Sequence, residues 1–125
     1  MTTVTESEIA ALFDRWNQSL QTGNPLEVVA NYAERSILLP TLSNTPRLTP
    51  GEKEDYFVSF LQNQPSGVID LRQITINGDM AVDSGIYTFT FGKTGQKVQA
   101  RYSFTYQKQG DQWLIVSHHS SGMPE

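Results

Sequence analysis

The sequence contains no cysteine. That removes disulfides, thiolate nucleophiles and cysteine-ligated zinc or iron–sulfur sites. Histidine is nearly as scarce: there are two, adjacent, as His118 and His119. Neighbouring residues of a strand point to opposite faces, so this pair does not share one site, and no metal or cofactor is expected. Positive charge is thin. Nine Lys and Arg against thirteen Asp and Glu leave a net charge of -4. The nine form no stripe, so nucleic acid is not an expected partner. No apolar run approaches the ~18 residues of a membrane span, and the opening MTTVTESE has neither a basic nor an apolar leader region. A cytoplasmic protein without a membrane partner is the expectation. Carboxylates are absent over one long stretch, from Ser84 to Gly110.

What is present suits a packed domain. The 125 residues include two Trp, five Tyr and six Phe, enough for one core in a single domain over 1–125. Three helix starts share one grammar: Thr5-x-x-Glu8, Asn24-Pro25-x-Glu27 and Thr49-Pro50-x-Glu52. Each sets a side-chain acceptor at the N-cap and a carboxylate three residues on; the last two add Pro at the first helical position. Ile9, Leu12, Phe13, Trp16 and Leu20 fall on a helical stripe that Gly23 ends. A short helix carries Val28, Val29 and Tyr32. A third carries Tyr56, Phe57, Phe60 and Leu61 and stops before Pro65.

Beyond residue 67 the apolar period changes from 3.6 to 2. Val68–Asn77, Ala81–Phe91, a run from Val98 to Gln107, and Trp113–Ser121 read as strands joined by the glycine turns at 78, 92, 95 and 110. A short strand over Ser36–Pro40 precedes the third helix. The order α-α-β-α-β-β-β-β predicts an α+β fold, with helices on one face of a curved antiparallel sheet. Tyr87, Phe89 and Phe91 alternate with Ile86, Thr88 and Thr90. The uncovered face is therefore partly apolar, which points to two-fold self-association.

Four stretches carry a resemblance: TGNPLEVVANYAERSILLP, NGDMAVDSGIYTFTF, ARYSFTYQKQGDQWLIV and HHSSGMPE. Together with the element order they resemble the NTF2-like superfamily, also described as SnoaL-like or cystatin-like. Within it they are most similar to the association domain of calcium/calmodulin-dependent protein kinase II and its free-standing bacterial relatives. Trp113, Val116, His119, Ser121, Gly122 and Pro124 match that domain's end pattern. The resemblance implies a cone, with a sheet wrapped round a long helix and a pocket between them. It also implies dimers or larger even-numbered oligomers through the sheet. The association-domain pocket is lined by arginines, and its tail carries Arg just after the last His; Ser120 stands there instead. The sequence holds no kinase domain, so tethering one in cis is not expected.

The superfamily hosts isomerases, cyclases, dehydratases and non-enzymes, so chemistry must be tested at individual residues. Steroid isomerases of this fold use a Tyr acid and an Asp base. The corresponding positions hold Trp16 and Pro40, which offer neither. Catalytic candidates are His118, His119, Tyr87 and Asp83. One His near its ordinary pKa serves as a base only with an orienting partner. Ser120 and Ser121 lack the strand-to-helix elbow of a serine nucleophile. Candidate ligand contacts are Arg101, Tyr87, His118, Trp16, Arg72 and Arg47. Arg101 is expected to pair with Asp83 across strands or to fork an anion, and Arg72 is expected to be neutralised by Asp70. Two functions follow. One is a homo-oligomeric binding or assembly module with a pocket for a small organic ligand, anions included. The other is a SnoaL-like isomerase, hydratase or cyclase using a pocket histidine as general base.

Overall fold

A computed structural model describes residues 4–41 and 43–124. Met1–Thr3, Leu42 and Glu125 lie outside that description, so the start of MTTVTESE, the first residue of the LSNTPR loop and the last of the tail are read from sequence alone.

The first helix, α1 (Glu6–Gln21), starts as its capping signal predicts. The Thr5 side chain accepts from the Glu8 amide, and the Glu8 carboxylate accepts the Thr5 amide at 3.1 Å. Its buried stripe is Ile9, Phe13, Trp16 and Leu20. The chain leaves through Gly23 at φ +69°, a left-handed conformation that costs a glycine little. Helix α2 (Pro25–Val29) is capped by Asn24, whose side chain accepts from the Leu26 amide. Glu27 stays exposed and closes no reciprocal box. Strand β1 spans Tyr32–Leu39, longer than the predicted Ser36–Pro40. Helix α3 (Pro50–Phe60) repeats the full capping box with Thr49 and Glu52. A 3-10 turn, Leu61–Asn63, then leads into the meander β2 (Pro65–Asn77), β3 (Met80–Phe91), β4 (Gln96–Gln109) and β5 (Gln112–Gly122).

The five strands form one sheet in the order β1-β5-β4-β3-β2. The four later strands pair antiparallel, as predicted, but β1 lies parallel to β5. The sheet is therefore mixed rather than wholly antiparallel. The chain reaches β5 through α3 and three hairpins, and the last strand returns beside the first running in the same direction. Helices followed by a curved, unclosed sheet make this an α+β fold.

Two bulges set the phase of the side chains. The β2–β3 register jumps between Ile69 and Leu71, leaving Asp70 without an opposite residue. The β4–β5 register jumps beside Tyr106, which faces Ile115 while Thr105 faces Ser117. Each extra residue turns the following side chains to the other face. At the first bulge the Leu71 carbonyl presses on β3, where an added Cβ on Gly85 would stand 1.9 Å from its oxygen.

The inner face packs on α1. Phe13, Trp16, Tyr87, Phe89, Tyr102, Phe104, Tyr106 and Ile115 are all buried in this core. At roughly 1.5–3 kcal/mol for each large apolar side chain removed from water, this contact is the main source of stability. Glycine at 67 lets α1 approach β2, since a Cβ there would meet Phe13 and Phe89 at 3.0–3.3 Å.

Candidate functional site

A cavity of about 310 Å³ lies between α3 and the inner faces of β3, β4 and β5. Its walls are apolar: Tyr56, Phe57 and Phe60 from α3, Phe89 and Phe91 from β3, Val98 and Ala100 from β4. Strand alternation supplies these side chains, because 87, 89 and 91 on β3 face the same way. Polar groups converge at one end, where Trp16, Thr41, Tyr87, His118 and Ser120 line it. Among the described residues, no Lys, Arg, Asp or Glu lines it.

His118 is the centre of that end. In register it sits beside Phe104 of β4 and Leu38 of β1. Its ring stacks on Phe104 with centroids 4.0 Å apart and meets the Trp16 ring edge-on at 5.4 Å. Tyr32 Oη lies 2.7 Å from Nδ1, and Tyr87 Oη lies 3.3 Å from Nε2. The Trp16 indole N–H donates to Tyr32 Oη at 3.2 Å. Burial among these rings pushes the imidazole pKa down to about 3, with His119 adding slightly. Burial also raises the Tyr32 and Tyr87 phenols above their ordinary value. All three groups are neutral at pH 7. Nearby, Ser120 Oγ and Thr41 Oγ1 form a 2.5 Å hydrogen bond. The cluster offers neutral hydroxyl donors and acceptors and a positioned imidazole, in a setting dry enough to strengthen hydrogen bonds to a polar guest.

The other sequence candidates fall elsewhere. His119 is exposed on the outer face, as alternation requires. Arg101 is exposed there too, in register with Ile86 and Ser121. It does not meet Asp83. That carboxylate is fully buried and takes its hydrogen bonds from Arg72 Nη2 at 2.8 Å, Arg72 Nε at 3.4 Å and Tyr102 Oη at 2.8 Å. Arg72 belongs to Asp83 rather than to Asp70 because the bulge puts Asp70 and Arg72 on different faces. Asp70 instead accepts from Thr88 at 2.6 Å and Gln99 at 3.4 Å outside. Asp83 and Arg72 are absent from the cavity lining. Aromatic rings connect the two clusters: Tyr102 stacks on Tyr87 at 4.7 Å and meets Phe104, the ring under His118, at 5.6 Å. Arg47 bonds to Ser43 Oγ and to the Thr45 carbonyl. Its guanidinium sits 5.4 Å above the ring of Tyr56, a wall residue.

The structure thus gathers Trp16, Tyr87 and His118 and leaves Arg101, His119, Asp83 and Arg72 outside the cavity. Sequence reasoning missed Tyr32 and Thr41. Tyr32 looked like part of a short helix's apolar face, and Thr41 had no signal beyond its place after Pro40. Ser120 was visible as a strand-end hydroxyl, without the partner that brings it to the cavity.

Mixed sheet, covering helices and the cavity between them define an NTF2-like fold. An NTF2-like protein of unknown function from Pseudomonas putida superposes with a TM-score of 0.82 at 21% identity, over 97% of this chain and 88% of that one. The model of the calcium/calmodulin dependent protein kinase II association domain matches residues 5–124, and the chain belongs to that family. A crystal structure from Xanthomonas campestris, described as such an association domain, is 49% identical with a TM-score of 0.93, over 98% of this chain and 91% of that one. A cyanobacterial iota-carbonic anhydrase in complex with bicarbonate has a TM-score of 0.87 at 21% identity, over 100% and 99% of the two chains. No match is found among curated proteins.

Proposed function

We propose that the protein is an oligomeric pocket protein that binds a small molecule through a planar oxygen-bearing head, such as a carboxylate or bicarbonate. The observation that carries this is the polar end of the cavity, where the hydroxyls of Thr41, Ser120 and Tyr87 converge inside apolar walls. Those hydroxyls would hold the oxygens, and the aromatic walls would hold whatever apolar body the molecule has. With no cation in the lining, any negative charge on the head rests on hydroxyl donors, in the manner of an oxyanion hole. Arg47, stacked on Tyr56, would add a more distant attraction. The outer sheet face, which exposes Val68 and Leu71, would form the two-fold contact suggested by membership of an association-domain family.

The experiment is calorimetric titration of benzoate and of bicarbonate into the purified protein and its Ser120→Ala variant. Binding that weakens about tenfold in the variant, the value of one lost hydrogen bond to a charged group, supports the reading. No heat with either anion overturns it.

A second reading follows from the bicarbonate complex of the cyanobacterial neighbour. Here the same hydroxyls serve hydration of carbon dioxide, in which water adds its oxygen to the carbon and one proton leaves to solvent. His118 does not fit as the general base of a steroid-type reaction, because burial keeps it a weak base and both ring nitrogens already have partners. Stopped-flow carbon dioxide hydration decides this reading. A rate above buffer that disappears in Ser120→Ala supports catalysis; a rate equal to buffer leaves binding alone.

A further inference from the structure

Four side chains at the polar end of the cavity form one hydrogen-bonded chain: Trp16, Tyr32, His118 and Tyr87. The direction of that chain follows from its first member. An indole N–H only donates, so the Tyr32 oxygen accepts from Trp16 at 3.2 Å. The single Tyr32 hydrogen is then available to His118 Nδ1, 2.7 Å away. Nδ1 is therefore the bare, accepting nitrogen. In a neutral imidazole the proton then lies on Nε2, which faces the Tyr87 oxygen at 3.3 Å. Tyr87 accepts there, so its own hydrogen points outward, toward Ser120 and the cavity that both residues line. The opposite tautomer would give Tyr32 two donors and leave its buried hydrogen without a partner, an arrangement that is disfavoured.

We infer that this chain fixes Tyr87 as a hydrogen-bond donor at the polar end of the cavity, so that the site selects molecules presenting an acceptor oxygen over those presenting an ammonium group. Tyr87 is the residue that touches the ligand. Tyr32 and Trp16 are positioning residues that act through the tautomer of His118. The inference rests on the reading of the cavity as a ligand site, and it adds what sets the polarity of that site.

The first measurement is a long-range proton–nitrogen correlation spectrum of the ¹⁵N-labelled, ligand-free protein at neutral pH. The expected result is a His118 ring with an unprotonated Nδ1 and a protonated Nε2. A protonated Nδ1 overturns the inference whatever binds. In Tyr32→Phe, a substitution that conserves volume, loss of the donor to Nδ1 should shift or mix the tautomer. Benzoate affinity should fall about tenfold there although Tyr87 is intact. An unchanged tautomer in this variant removes Tyr32 as its determinant. Should that variant fail to fold, the wild-type spectrum still decides. The third measurement compares benzoate, bicarbonate and benzylammonium on the wild type. Binding of either anion without benzylammonium supports the selection, and tighter binding of benzylammonium overturns it. The expected tautomer with no binding of any probe would sink the ligand reading and the selection built on it, while the assigned hydrogen-bond direction stands.

Discussion

Two buried titratable residues give the sharpest expectations at the scale of single side chains. His118 has its folded pKa lowered from 6.5 to about 3 by burial. Below about pH 6.5 the unfolded chain binds a proton that the folded chain refuses, so stability falls as pH falls, until the folded pKa is reached. The slope is about 1.4 kcal/mol per pH unit. Urea unfolding at pH 7 and pH 5 should therefore show a loss of about 2 kcal/mol in the wild type that is missing in His118→Gln; equal losses in both would refute the linkage. Asp83 is the second case. It is 0% exposed while its partner Arg72 is 28% exposed. Arg72→Met strands a buried carboxylate with Tyr102 as its remaining partner, a loss of about 3 kcal/mol or more. Asp83→Asn strands a guanidinium that can reach water, and should cost less. Denaturation of the two variants tests that order, and the double variant should recover part of the Arg72→Met loss.

Two secondary-structure elements depend on single residues, β2 at its bulge and α3 at its cap. The β2 bulge depends on Gly85, where a methyl group would overlap the Leu71 carbonyl oxygen. Gly85→Ala should destabilise the protein by on the order of 3 kcal/mol, and a change under 1 kcal/mol in its unfolding curve would show that the bulge can relax. Helix α3 carries one cavity wall and begins at the Thr49–Glu52 box. Thr49→Ala should cost about 1 kcal/mol by thermal or urea unfolding. The boxes at Thr5 and Thr49 were legible because capping is chemistry within four residues. Bulges are different. Nothing within Ile69-Asp70-Leu71 states that Asp70 will be skipped, so the Asp70–Arg72 pairing drawn from simple alternation failed. The same slip turns Arg72 toward Asp83, whereas Arg101 misses that carboxylate by plain alternation, since β3 and β4 pair without a bulge and set it opposite Ile86.

At the scale of the whole molecule, the outer face of the sheet carries the assembly proposal. Val68 is 65% exposed and Leu71 61% exposed on that face, among Thr, Ser and Gln. If two copies meet there, Leu71→Lys should convert an even-numbered oligomer to a species of half its mass or less in analytical ultracentrifugation, with the unfolding midpoint of the subunit retained. A wild type that sediments as a monomer at micromolar concentration would end the assembly proposal. The sequence by itself determined the helix starts, the change of period at residue 67, the order of the elements, the family, and the opposition of His118 and His119. Each of these is written in neighbouring residues or in a period of 2 or 3.6. Only the tertiary structure decided that β1 runs parallel to β5, that Asp83 belongs to Arg72, and that Thr41 and Tyr32 join Ser120 and His118. Those contacts link residues as far apart as 86 positions. They depend on bulges, chain direction and helix docking, which no local pattern encodes.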